Sequence, residues 1–348
     1  MISPDPNFER LKTALFCGQP DRVPLFEVTI DEEAKEAFLG KPLNDLETDL
    51  EFYIKAGYDY ISLGRRIAGF PGIWNAATLE NYYEVQRSVG KGFMQGKIAT
   101  WDDFKNYPWP KPESLDFRIL DKIECILPKK MKVIRYMGPV FQMVWMLMGF
   151  ETFCECLYTN RGLVDAVWDK ISEVVHAEFK DAIQRDIVGG IEYGDDIAIK
   201  TGLMVPPKLL REKLFPQIKI MTEGCRRRGI PFIYHTDGDV TPVVDDIIDA
   251  GVNALHPIDP TGMDIYKFKH MVAGRLCVIG NINVDLLTRG KPEEIVADTK
   301  EHIRRLAPGG GYVVSTSNSV VRSFNPENYR AMVETVIKYG TYPISFGG

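Results

Sequence analysis

Two short stretches carry the side chains best suited to chemistry. The first is Ile230–Val240, IPFIYHTDGDV. Phe232, Ile233 and Tyr234 favour a buried strand, and Gly238 supplies the turn that ends it. His235 and Asp237 stand two residues apart, so a strand projects both to one face at its C-terminal end. An imidazole beside a carboxylate serves as a metal pair, a proton-transfer pair or an anchored structural ion pair. The second stretch is Gly189–Ala198, GGIEYGDDIA. Strand alternation puts Glu192 and Asp196 on one face, Tyr193 and Asp195 on the other. Burying a bare carboxylate costs several kcal/mol, so these acids must sit at a strand mouth, find partners or bind something; an aspartate capping a following turn is the structural alternative.

Arg65 and Arg66 follow a third strand, Tyr58–Leu63, where they either hold an anionic group or stay solvated. Asn281 and Asn283 end the strand Leu276–Asn283, and Asn318 ends Gly311–Asn318. These amides are candidate hydrogen-bonding neighbours.

The elements that must position these residues alternate along the chain. Strands are expected at Val23–Thr29, Tyr58–Leu63, Lys132–Tyr136, Gly189–Ala198, the stretch around His235, Asn253–Asp259, Leu276–Asn283 and Gly311–Asn318. Helical periodicity separates them: Leu115–Leu127, the apolar VFQMVWMLMGF, Arg161–Arg185, Pro207–Arg227, Pro242–Asp249, Asp264–Met271, Pro292–Leu306 and Pro326–Tyr339. Polar residues gather at the C-terminal ends of the strands. This is the rhythm of a closed (β/α)8 barrel in one domain spanning 1–348. An open doubly wound sheet is the alternative, but no Gly-rich dinucleotide fingerprint or phosphate-loop motif supports it. Residues 77–107, broken by glycines and resembling a β-hairpin, read as an insertion after the second strand that forms a lid or rim.

Composition removes several classes of function. The chain of 348 residues is 45% hydrophobic, with net charge −6. Its longest basic run, Arg226–Arg228, suits a helix C-terminus better than a phosphate backbone, which excludes nucleic acid as the expected partner. No apolar run reaches ~18 residues, and the opening MISPDPNFER has no signal-peptide core. The 6 scattered cysteines form no metal-like pair, and a cytoplasmic protein with reduced thiols is expected.

The segments PDRVP, MGPVFQMVW, HTDGD, GNINVDLLTRGKPEEI and GGGYVVSTSNSV, spread along nearly the whole chain, resemble the uroporphyrinogen decarboxylase superfamily. PDRVP is similar to that family's opening turn and MGPVFQMVW to its Gly-Gly-Pro segment. DDIAIKTGLMVPPKLLREKLFPQIKIM followed by HTDGD is more specific, and GNINVDLLTRGKPEEI resembles the Gly-Asn-x-Asp-x-x-Leu-Leu motif with Asn283 in place of aspartate. GGGYVVSTSNSV resembles the final strand. True decarboxylases carry an arginine-rich segment after the first strand that binds substrate carboxylates, whereas here FEVTIDEEAK contains no arginine.

The other branch of the resemblance contains corrinoid-linked methyltransferases. Its thiol-methylating members hold zinc by His-x-Cys and a later cysteine. Here His235 keeps the first position, Asp237 replaces the first cysteine and Asn318 stands near the second. Histidine with carboxylates makes a harder, more Lewis-acidic site than thiolates do, and Glu192 or Asp196 would complete it.

The resemblance with these departures implies the methyltransferase of a corrinoid O-demethylase system. Such a protein passes a methyl group from a small methoxylated, aromatic donor to the cobalt of a separate corrinoid (cobalamin-carrying) protein. His235, Asp237 and Glu192 are then the catalytic residues, binding zinc or acting directly as an acid pair. Tyr193, Asp195, Asp196, Arg65, Arg66, Asn281, Asn283 and Asn318 orient the substrate, and Phe26, Trp145 or Tyr312 wall the pocket. No corrinoid-binding Asp-x-His-x-x-Gly occurs in the chain, so the carrier is another polypeptide docking over the barrel mouth. A homodimer is similar to what the family forms. The rival readings are a decarboxylase of a small carboxylic or tetrapyrrole substrate, a methyl-corrinoid to thiol methyltransferase, and a non-catalytic binding barrel.

Overall fold

The computed structural model describes residues 5–63, 70 and 96–345. Among the described residues, seven strands form one parallel sheet: β1 (Tyr60–Leu63), β2 (Lys132–Met137), β3 (Val188–Gly194), β6 (Phe232–His235), β7 (Ala254–His256), β8 (Cys277–Ile279) and β9 (Tyr312–Val313), hydrogen-bonded in that order. Two short strands, β4 (Ala198–Ile199) and β5 (Gly202–Leu203), make an antiparallel hairpin just after β3. The sheet strands are buried almost throughout, as expected for parallel strands covered on both faces.

Val23–Thr29, expected as the first strand, joins the two edges of this sheet. Next to β9, the Phe26 N–H donates to the Val314 carbonyl and the Val314 N–H to Pro24. On the β1 side, the Tyr60 hydroxyl accepts from the Glu27 N–H at 2.8 Å and donates to the Glu27 carbonyl at 3.1 Å. One tyrosine hydroxyl thus occupies backbone groups that a ladder would use, and Pro24 has no N–H to offer. The result is a curled parallel sheet of seven strands with this segment bridging its edges.

Helices cover the outer face. Pro292–Leu306 and Pro326–Tyr339 have the expected bounds, each opening on proline at its first position. The Arg226–Arg228 run closes the helix Phe215–Arg228, which ends on left-handed Gly229. One expected helix is divided and another ends early. Pro216 has no N–H for the carbonyl of Glu212, and the chain widens into a π turn over Leu210–Leu214. Gly149, at φ +78°, separates Phe141–Met148 from Phe150–Thr159. Of the expected insertion, 77–95 lies outside the described residues; its remainder carries the helix Trp101–Asn106, opened by a Thr100–Asp103 capping box.

The acid pair after β3 is divided by alternation. Tyr193 packs with Phe232 and Tyr234, on the face away from His235, and donates its hydroxyl to Asp195 at 2.6 Å. Asp195 also accepts the backbone N–H groups of Val140, Phe141 and Gln142 at 2.7–2.9 Å, at the start of the helix Phe141–Met148. This carboxylate satisfies orphan donors of a helix N-terminus and ties that helix to the strand end. Tyr193 and Asp195, expected to touch substrate, are engaged in the fold. Asp195→Ala should lower stability by about 3 kcal/mol, because several buried donors lose their acceptor together; urea denaturation checks this, with Asp195→Asn expected to lose less.

Candidate functional site

At the C-terminal ends of the strands, three side chains converge. Asp196, His235 and Asp237 each offer a ligand atom, and these atoms lie within 4.8 Å of one another. His235 is the last residue of β6, where it pairs with Gly194 of β3 and His256 of β7. Asp196 and Asp237 follow their strands in loops. The Asp237 turn is possible because Gly238 takes φ +83°; a Cβ there would meet the Ala198 carbonyl carbon at 2.5 Å.

Each member of the cluster is held from behind. Asp196 accepts the Asp237 N–H at 2.9 Å and the Gln142 amide at 3.3 Å. Asp237 accepts from the Asn318 amide at 3.0 and 3.2 Å. Burial, then the charges of Asp196 and Asp259, push the Asp237 carboxyl well above its ordinary range.

His235 is anchored through a histidine that the sequence reading left out of the site. The two rings are nearly parallel, 28° apart, and Nδ1 of His235 lies 2.7 Å from Nδ1 of His256. His256 is fully buried, with Phe26 edge-on at 5.5 Å. Burial, then the adjacent His235, drive its pKa well below the histidine range, so it is neutral. Its Nε2 lies 3.0 Å from the Ser315 hydroxyl. Below Ser315 is Glu27, also buried, whose Oε2 is 3.3 Å from Ser315 Oγ and 2.6 Å from Thr316 Oγ1, while Oε1 accepts the Thr316 N–H at 3.0 Å. Burial outweighs these hydrogen bonds and pushes the Glu27 carboxyl up to about 8.

The other expected site residues divide as follows. Glu192 shares the inner face with His235 but sits one pleat deeper, opposite Ile233, and is outside the Asp196–His235–Asp237 group. Asp196, two residues beyond the end of β3 and bonded to the Asp237 N–H, takes the place expected of Glu192 in the cluster. Asn318 joins the cluster. Asn281 is buried between the Ile258 carbonyl and His302, and Asn283 caps the helix Val284–Arg289. Arg65 and Arg66 lie outside the described residues. Of the expected aromatic walls, Phe26 reaches the network; Trp145 packs edge-on to Phe150, and Tyr312 is buried. Tyr136, not anticipated, approaches closely: its hydroxyl lies 2.4 Å from where a Cβ on Gly194 would stand.

Glu27 gives the fold a defined pH dependence. As pH rises from the ordinary glutamate range, the unfolded chain releases this proton before the folded chain does. The contribution of the neutral, buried acid is therefore intact below about pH 4.5 and lost as pH passes about 8. Glu27→Gln should flatten the decline, seen as a smaller drop in urea midpoint between pH 5 and pH 8 than in the parent protein.

Compared with curated proteins, the chain matches none. Among solved structures, a methyltransferase from Methanosarcina mazei superposes with TM-score 0.69 at 18% identity, over 95% of this chain and 98% of that one, which shows a shared fold. Dispersin B matches more distantly, with TM-score 0.40 at 12% identity over 92% and 98%. The family model for uroporphyrinogen decarboxylase (URO-D) matches residues 85–339. With the parallel sheet and the strand-end cluster in place, that match assigns the chain: it belongs to the uroporphyrinogen decarboxylase family.

Proposed function

We propose that this protein is the methyltransferase of an O-demethylase system, taking a methyl group from a small methoxylated aromatic donor and passing it to the cobalt of a separate corrinoid protein. The observation that carries the reading is the donor set at the strand ends, one imidazole and two carboxylates with no cysteine among them. Thiolates suit a thiol acceptor, and this set has none. Imidazole and carboxylates suit a harder task, stabilising the aryl oxide that departs when an aryl ether gives up its methyl group. The fold shared with the Methanosarcina mazei methyltransferase supports this class of reaction.

The residues fit a divalent ion such as zinc, which takes imidazole and carboxylate ligands, because crowding of Asp196, Asp237 and Asp259 would be relieved by a positive charge. Asp196, His235 and Asp237 would hold it, and when bound it would supply Lewis-acid stabilisation at the ether oxygen. Asn318 and Gln142 fix the two carboxylates, and Nε2 is the His235 nitrogen that can serve a ligand, since Nδ1 is engaged by His256. Phe26 packs behind His256, the Tyr136 hydroxyl stands at Gly194, and Glu192 lies deeper on the same face as His235. The corrinoid protein would dock over the strand ends.

A second reading is favoured by the crowding of Asp237 with Asp196 and Asp259, which without an ion favours the protonated carboxyl, able to give its proton to the departing oxygen. Elemental analysis of protein purified without chelator separates the two: an equimolar metal lost in His235→Ala supports the ion, and a metal-free, active protein supports the acid. A decarboxylase is less well supported, because the first-strand segment that would clamp carboxylates offers Glu27, buried against Thr316, and no arginine.

The reaction is tested with a panel of methoxyaromatics, a reduced corrinoid protein and this chain, followed by the cobalt absorption change. Transfer from at least one donor is expected, with His235→Ala and Asp237→Ala each slower by about 100-fold or more. No transfer across a broad panel contradicts the proposal.

A further inference from the structure

Glu27 lies beneath both His235 and Asp237, and we infer that it is a positioning residue for this pair, acting along two hydrogen-bond chains. The first chain runs Glu27–Ser315–His256–His235. The second runs Glu27–Thr316–Asn318–Asp237, since Thr316 Oγ1 also bonds the Asn318 backbone carbonyl while the Asn318 amide holds Asp237. The inference rests on the reading of His235 and Asp237 as the acting groups.

Counting protons fixes the direction of each chain. The Thr316 hydroxyl has one proton, and the Asn318 carbonyl can only accept it. The contact of 2.6 Å between Thr316 Oγ1 and Glu27 Oε2 then needs its proton from Glu27, which is present as a neutral acid. Glu27 Oε2 keeps a lone pair for the Ser315 hydroxyl. With Ser315 donating downward, His256 must donate from Nε2 to Ser315 Oγ. Its Nδ1 is then an acceptor, so His235 donates from Nδ1. A neutral glutamic acid buried two residues removed from the imidazole thus sets which way the proton between His256 and His235 points.

Glu27→Gln separates this role from simple packing. The Thr316 N–H requires the glutamine oxygen at the Oε1 position, so the NH2 group takes the Oε2 position. That group still donates to Thr316, leaving the Asp237 chain intact, but it cannot accept from Ser315. Ser315 must turn to His256 Nε2, and every proton between there and His235 moves over by one partner.

The experiment is nitrogen-15 NMR of the protein labelled in its 5 histidines, with no donor, metal or corrinoid protein added. In the parent protein, His235 is expected to carry its proton on Nδ1 and His256 on Nε2. In Glu27→Gln both are expected to switch, His235 to Nε2–H and His256 to Nδ1–H. In a Ser315→Ala background, adding Glu27→Gln should leave His235 unchanged. A parent protein with His235 already protonated on Nε2, a folded Glu27→Gln protein without the switch, or a switch that persists without Ser315 would each overturn the inference. Should the glutamine protein not fold, the parent tautomers and Ser315→Ala still decide it. Because no methyl donor is present, a failed transfer assay with the switch observed removes the proposed reaction and leaves the relay standing.

Discussion

The strand-end chemistry depends on one contact, the 2.7 Å approach of His235 Nδ1 to His256 Nδ1. At that distance one ring must donate and the other accept, and His256 is the neutral partner. The pair is therefore polar in a fixed sense, set from the side that is most buried. His256 cannot answer by taking a second proton, because burial and its neighbour hold its pKa far below the histidine range. Removing water from one ring gives the other a defined face.

The acids impose the complementary constraint. Asp196 and Asp237 stand together, and Asp259 approaches the same turn through the Gly238 N–H at 3.0 Å. Two of these carboxylates are fixed by neutral donors, Gln142 and Asn318, and not by an arginine or lysine among the described residues. Neutral donors orient a carboxylate without cancelling its charge. The arrangement favours either a cation or a proton at the cluster, and the two forms of the proposed mechanism differ in which one it takes. Asp195, one residue before Asp196, shows the contrast: it faces a helix N-terminus, whose aligned N–H groups give it a structural task.

Much of this was legible in the sequence. Helices that open on proline, such as Pro292–Leu306, were readable to their ends because the ring marks the first turn. Alternation correctly sorted Tyr193 with Asp195 and set Asp196 on the opposite face; which of the two faces the cluster had no sequence signal. Strand ends were less legible. Gly311–Asn318 reads as one strand, but only Tyr312–Val313 forms a continuous ladder; beyond it the backbone makes single bridges to Leu25 and Ile282, and the Thr316 N–H turns to Glu27. Glu27 and His256 were hard to weigh from sequence for one reason: each is a lone polar residue in an apolar strand, and its partners lie far away in the chain. Glu27 meets Thr316 across 289 positions. An acid in the middle of LFEVT was nonetheless a signal, since a buried carboxyl needs partners.

The central claim is that a hard donor set of one imidazole and two carboxylates does the work at this mouth. X-ray absorption at the zinc edge of zinc-loaded protein tests it most directly. The account predicts a first shell of nitrogen and oxygen at about 2.0–2.1 Å, with one imidazole, reduced in the Asp196→Ala and Asp237→Ala proteins. A sulfur shell at about 2.3 Å, or zinc whose surroundings ignore both substitutions, would contradict it.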